Sequence, residues 1–175
     1  MAFIFGFAGL LTDPWLLFIA LFVWIGAEQE ASTARIKSSL GGIPVSRAMQ
    51  TKFESLAPQD TLAQAVELIL AGSQQDFPVV EDGRVLGILE RDTFIKALAR
   101  SGQTEPVVEV MRREVPEVDT HEMVESALTR LEQSGAKTLP VTHAGQLAGL
   151  ITAENITEFL MIRSALRTAP TRATG

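Results

Sequence analysis

Two regimes of hydrophobic patterning divide the chain. From Met1 to Ala27 nearly every position is apolar, broken by Thr12, Asp13 and Pro14 and by small glycines and alanines. Beyond residue 42, apolar and polar positions alternate with the periods of helices and strands. In the first regime Asp13 supplies an N-cap and Pro14 a proline at the first helical position, which predicts a helix through WLLFIALFVWIGA. Its apolar part rises only about 20 Å, short of the ~30 Å hydrocarbon core, but the helix can continue past Glu28 and Glu30 to about Ile36. Trp15 and Trp24 then suit interfacial positions. A signal peptide would need a basic leading region, which is missing, and a water-soluble hairpin of this composition would be apolar all round. Residues 1–37 are therefore expected to anchor the chain in a membrane. Arg35 and Lys37 follow the apolar run, which puts the remainder on the cytoplasmic side.

In the second regime the pattern occurs twice. PVVEDGRVLG at 78–87 returns as PVTHAGQLAG at 140–149, sixty-two residues later, and the same offset aligns residues 44–98 with 106–160 without a gap. Nine pairs are identical: Pro44/Pro106, Val45/Val107, Met49/Met111, Ala65/Ala127, Pro78/Pro140, Val79/Val141, Gly83/Gly145, Gly87/Gly149 and Leu98/Leu160. They fall at structural punctuation, as a duplicated module requires. Each copy predicts a helical turn ending at Met49 or Met111, then a brief strand at Phe53–Leu56 or Val115–Val118. An amphipathic helix follows, with Leu62, Ala65, Val66 and Ile69, or Val124, Ala127, Leu128 and Leu131, at i, i+3, i+4 and i+7. Gly72 and Gly135 read as its C-caps.

FPVV and LPVT open short buried strands, EDGR and HAGQ turn the chain, and VLGIL and LAGLI return it as hairpins. A second helix starts near Glu90 or Thr152, burying Phe94, Ile95 and Leu98, or Ile156, Phe159 and Leu160. The boundaries predicted are a membrane segment over 1–37, a linker SSLGG, one copy over 43–102, the other over 105–166, and a frayed tail over 167–175.

Composition narrows the chemistry. Residues 44–160 hold eighteen Asp and Glu against ten Lys and Arg, which disfavours nucleic acid as a partner. The chain has no cysteine, so it offers no thiolate nucleophile and no cysteine zinc site. His121 and His143, the only histidines, lack partners at metal-ligand spacing, and no metal is expected. There is no G-x-S-x-G, glycine-rich phosphate loop or HExxH; His121-Glu122-Met123-Val124-Glu125 fails at its fifth position. By itself the chain is not expected to be an enzyme.

The order strand, helix, strand, strand, helix, doubled, resembles the tandem cystathionine β-synthase (CBS) domain pair over residues 43 to about 164. The resemblance implies an α+β fold in which β-α-β-β-α occurs twice and the sheets pack into one disc. It also implies clefts able to hold AMP, ATP or another adenosyl ligand such as S-adenosylmethionine. The family's ligand signature is a glycine, two apolar residues, Thr or Ser, two variable residues, and Asp at the start of the second helix. The second copy reads GLITAEN, with Gly149, Thr152 and Asn155 in those places, and Leu139 and Pro140 bordering the same cleft. The first copy reads GILERDT and is degenerate, with Glu90 and Thr93 in the Thr and Asp places and Phe77 and Pro78 alongside. A hydroxyl and free N–H groups at a helix N-terminus bind a phosphate oxygen, and a carboxylate accepts from ribose hydroxyls. Thr152 also reads as an ordinary N-cap.

The N-terminal run DPWLLFIALFVWIGAEQE is similar to the last membrane helix of bacterial site-2 type zinc metalloproteases, some of which carry a CBS pair directly afterwards. The resemblances together imply a membrane-tethered, homodimeric regulatory module that binds an adenosine nucleotide and is the C-terminal part of such a protease. A ligand-free pair that serves to dimerise a membrane protein is a second reading, and a truncated enzyme, inactive in isolation, is a third.

Overall fold

The computed structural model describes residues 42–168. The helix expected within residues 1–37 lies outside the described residues. No described helix is long and apolar enough to cross a membrane. The first copy comprises a 3-10 turn (Val45–Arg47), helix α1 (Leu62–Ala71), strands β1 (Phe77–Glu81) and β2 (Arg84–Leu89) and helix α2 (Arg91–Ser101). The second comprises a 3-10 turn (Val107–Glu109), strand β3 (Val118–Asp119), helix α3 (Val124–Ser134), strands β4 (Thr138–His143) and β5 (Gln146–Thr152) and helix α4 (Ala153–Thr168). Every element of one copy has its counterpart at the sixty-two-residue offset except β3. The chain is α+β, with β1–β2 forming one sheet, β3–β4–β5 another, and β2 touching β5.

Local chemistry explains the elements. Thr61 starts α1, and the Gln64 side chain reaches back to accept the Thr61 N–H at 2.7 Å. The buried faces of α1 and α3 are the expected ones: Leu62 and Ala65 in the first, Val124, Ala127 and Leu131 in the second. Both hairpins turn on two residues with positive φ, Asp82-Gly83 and Ala144-Gly145, the backbone that a type I′ turn demands.

Five expectations need correction. The stretch 53–56 makes no strand; Leu56 alone bridges Val79, in parallel. In the other copy the strand starts at Val118 and not Val115, because Pro116 has no N–H to give a ladder. Gly72 ends α1 in extended backbone (φ −142), and only Gly135 (φ 65) makes a left-handed cap, its N–H donating to the Leu131 carbonyl. Ile95 is half exposed, since α2 turns Phe94 and Ala97 inward instead. Helix α4 runs through Arg167 and Thr168, so the first two residues of the expected tail are helical, and the rest of it lies outside the described residues.

What joins the copies is an exchange of their leading segments. Residues 43–46 dock on the second copy: the Val45 and Ser46 N–H groups donate to the carbonyls of Glu122 and Thr120, and Val124 donates to Ile43. The equivalents are present on the other side, where Val107 and Val108 donate to Asp60 and Pro58, and Leu62 donates to Glu105. Farther along, Gln50 exchanges a pair of backbone hydrogen bonds with Leu150 of β5, and Arg112 does the same with Ile88 of β2. The first copy's core (Leu56, Leu62, Phe77, Val79, Leu89, Phe94) is accordingly completed by Val107, Val110 and Met111 from the other copy's leading segment.

This exchange accounts for several identical pairs. A Cβ at Gly87 would sit 2.4 Å from the Arg112 carbonyl oxygen, and one at Gly149 would sit 2.8 Å from Met49 Sδ and 2.9 Å from the Gln50 carbonyl oxygen. Only glycine lets the crossing backbone come that close. Gly87→Ala is expected to lower unfolding free energy by roughly 1–3 kcal/mol, the usual cost of overpacking, as measured by urea denaturation. A change under about 0.5 kcal/mol would mean that the crossing segment yields freely.

Candidate functional site

A cleft of about 1130 Å³ opens at the seam where the exchanged segment meets the second copy. Its wall on one side is Arg47–Gln50, which the ladder to Leu150 holds in place. The loop after α1, Ser73–Asp76, and the stretch Ala136–Thr138 form the floor. The start of α4 closes the other side with Thr152, Ala153, Glu154 and Asn155, and Phe159 and Ile162 continue the wall along the helix.

Asp76 and Thr138 stand sixty-two residues apart, so they are the same position in the two copies, and they meet. The buried Asp76 carboxylate accepts the Thr138 hydroxyl at 2.7 Å through Oδ2 and the Arg91 N–H, at the start of α2, at 3.0 Å through Oδ1. The pseudo-two-fold relation between the copies therefore passes through a hydrogen bond, and both carboxylate oxygens have donors.

Of the residues predicted in the second motif, Thr152 and Asn155 line the cleft. Thr152 Oγ1 accepts the Asn155 N–H at 3.1 Å, so it does cap α4, while its own proton stays available to a ligand oxygen. Asn155 Oδ1 is covered by protein and has no hydrogen-bond partner. An unpaired buried carbonyl oxygen costs about 1–3 kcal/mol, so this terminal amide has hydrogen-bonding capacity that the fold leaves unused. Leu139, Pro140 and Gly149 are buried in and beside the hairpin and do not line the cleft; Gly149 serves the crossing of Met49 and Gln50.

The first motif is arranged differently. Phe77 and Pro78 are buried in β1, and Thr93 is half-buried in the first turn of α2. Glu90 is not a bare charge, because Arg112 from the exchanged segment pairs with its carboxylate (Nη1 to Oε1, 3.2 Å) and also donates to the Ser134 carbonyl at 2.9 Å. The guanidinium thus ties the start of α2 to the end of α3. Nothing in the sequence around Arg112 marks it for this task. The Ile88–Arg112 ladder delivers it, whereas Gln50, its counterpart, bonds only locally to the Lys52 carbonyl.

Charge at the cleft is unbalanced. Its lining carries the acids Asp76, Glu132, Glu154 and Glu158 against the bases Arg47 and Lys137. Lys137 is itself engaged, its ammonium 2.6 Å from Asp92 Oδ2. That hydrogen bond and charge hold the Asp92 carboxyl below the usual carboxylate range, and Asp92 in turn raises Lys137. Both groups are open to solvent, so screening leaves the pair little weight in stability.

A family model described as the CBS domain matches residues 45–100 and again 107–162. Among curated proteins, the CBS domain-containing protein YhcV of Bacillus subtilis is 31% identical over 106 residues, which cover 59% of this chain and 75% of that protein. Among solved structures, the CBS domain of the bacterial CNNM/CorC family Mg2+ transporter, in complex with ATP, superimposes with a TM-score of 0.65 at 18% identity, covering 76% of this chain and 97% of that one. The CBS domain pair of protein MJ0100, in complex with 5-methylthioadenosine and S-adenosyl-L-methionine, gives 0.60 at 20% identity, covering 69% and 98%.

The geometry at Glu90 predicts an asymmetric response to mutation. Arg112→Ala removes both an ion pair and a bond to a carbonyl, and is expected to cost roughly 1–2 kcal/mol in denaturant unfolding. Glu90→Gln, which spares the Ser134 bond, should cost less than about 1 kcal/mol because the pair is partly exposed.

Proposed function

Because the chain belongs to the CBS domain family, we propose that it is a non-catalytic regulatory module taking one adenosine ligand per chain in the cleft at Thr152 and Asn155. The observation that carries this reading is the unused capacity at that place: a capping hydroxyl with a free proton beside a carboxamide oxygen that no group of the chain satisfies. A rotation of the Asn155 amide presents that oxygen to a ribose hydroxyl, and Thr152 donates to a ligand oxygen. The CBS structures solved with ATP, and with methylthioadenosine and S-adenosylmethionine, support the ligand class. Among such ligands the lining favours those with little negative charge. With Asp76, Glu132, Glu154 and Glu158 against Arg47 and Lys137, the lining is net negative and disfavours a triphosphate relative to a nucleoside or a sulfonium.

In this reading residues 1–37 anchor the module in a membrane with the pair on the cytoplasmic side, as the C-terminal part of a site-2 type intramembrane protease. The apolar run, Arg35 and Lys37 support the anchor, and the resemblance of 13–30 to a protease helix supports the parent. A second reading rests on its own observation. Met161, Ile162 and Leu166 on α4 are more than half exposed, an apolar stripe suited to pairing two copies, and a ligand-free module would use it to dimerise.

Calorimetric titration of the full chain tests the ligand reading. S-adenosylmethionine, methylthioadenosine and AMP are expected to bind at one site per chain, with ATP weakest. Asn155→Asp should tighten binding by roughly 1 kcal/mol, since a charged acceptor bonds about twice as strongly as a neutral one, and Thr152→Ala should weaken it. Two equal sites, or indifference to both substitutions, would refute the assignment. Absence of heat with all four would move the weight to the dimerising module. For the anchor, alkaline carbonate washing of membranes is expected to leave the chain in the pellet, and its release into the supernatant would count against a spanning segment.

A further inference from the structure

We propose that Asp119, His121 and His143 form a binding site for a divalent late transition metal ion of the zinc type, apart from the adenosine cleft. The sequence spacing gives no metal motif, yet the fold brings the chain's only two histidines together. Asp119 ends β3, which pairs in parallel with β4 in the register Asp119↔Thr142, so the next residues on the two strands, Thr120 and His143, lie side by side. His121 then folds back over them, with the two imidazole centroids 5.4 Å apart. One ligand atom from each of Asp119, His121 and His143 lies within 4.8 Å of the others.

The candidate ligand atoms already lie close together. Asp119 Oδ1 is 2.9 Å from His121 Nδ1, and the Thr120 hydroxyl lies 3.3 Å from His121 Nδ1 and 3.1 Å from His143 Nδ1. Two imidazoles and a carboxylate are the ligand chemistry of zinc, nickel and copper sites, and not of magnesium or calcium, which take oxygen alone. In a tetrahedral site with bonds of about 2.0–2.2 Å, ligand atoms stand roughly 3.3–3.6 Å apart, so a small rotation of exposed side chains closes the set. Three protein ligands leave a fourth position for water.

The loop that carries the set is itself fixed. Glu122 Oε1 accepts the Asp119 N–H at 2.9 Å, and Arg130 grips the Glu122 carboxylate with both terminal nitrogens, at 3.0 and 2.7 Å. Duplication does not explain the cluster, because Ala57, Gln59 and Glu81 occupy the matching places in the first copy. The set belongs to the second copy alone.

Because the chain has no cysteine and only these two histidines, its imidazole resonances report on this site and no other. The test is a Zn2+ titration of the untagged full chain, followed by equilibrium dialysis and by NMR of the imidazole C–H signals. One saturable Zn2+ per chain is expected, with both imidazoles shifting together. His143→Ala and His121→Ala, each at an exposed position, should weaken binding about tenfold or more while circular dichroism stays unchanged, and Asp119→Asn should weaken it less. Imidazole signals that stay put at excess Zn2+, or dialysis that is indifferent to both histidine substitutions, would overturn the proposal. His143→Gln supplies the same comparison should the alanine variant lose its fold.

Discussion

The close approach of backbone to backbone at Gly87 and Gly149 is the constraint on which the rest of the fold depends. At each glycine a segment from the other copy crosses and joins the hairpin by paired N–H···O bonds, and no side chain larger than hydrogen fits beneath it. The first copy's core is finished by Val107, Val110 and Met111 of the other, and the buried Ile43 and Val45 dock in turn on the second copy. A fold of this kind is held by topology as much as by apolar area. Separating the copies would uncover both cores and strip ladder bonds from two sheets together.

The same crossing makes the two ends of the molecule unequal. Residues at equivalent positions are delivered to equivalent places, and a single difference in identity is then read directly as a difference in chemistry. Arginine at 112 joins Glu90 and the Ser134 carbonyl at one seam, whereas Gln50 bonds locally to the Lys52 carbonyl at the other, where the cleft opens beside Thr152 and Asn155. The cleft beside Thr152 and Asn155 is thus walled on one side by Arg47 to Gln50, residues of the first copy's leading segment.

Much of this was legible in the sequence because it rests on periodicity and punctuation. The offset, the helix faces and the hairpin turns all follow from spacing and from the few residues that a turn tolerates. The place of Thr152 and Asn155 at the start of a helix was likewise readable, because a helix start is a local event. What escaped was whatever depends on crossing. Arg112 sits twenty-two residues from Glu90 and carries no mark of partnership, and Asp76 and Thr138 look unrelated until the copies are set face to face, although the shared offset does place them at one position. The family pattern sets Leu139, Pro140 and Gly149 beside the cleft; all three are buried in the hairpin, and Gly149 lies beneath the crossing of Met49 and Gln50. The brief strand before each first helix was overread, because one bridge at Leu56 and a proline at 116 leave little to pair.

The bond between Asp76 and Thr138 bears on how a doubled gene keeps its halves from mixing. If two first copies were to pair with each other, Asp76 would face a second Asp76, and two buried carboxylates would share one place with no donor between them. If two second copies paired, a threonine would meet a threonine, and neither side would bring the carboxylate that Asp76 provides. Only unlike halves give the position a carboxylate acceptor with a hydroxyl donor facing it. The difference at this one position therefore favours the pairing of unlike copies, which a single chain completes within itself.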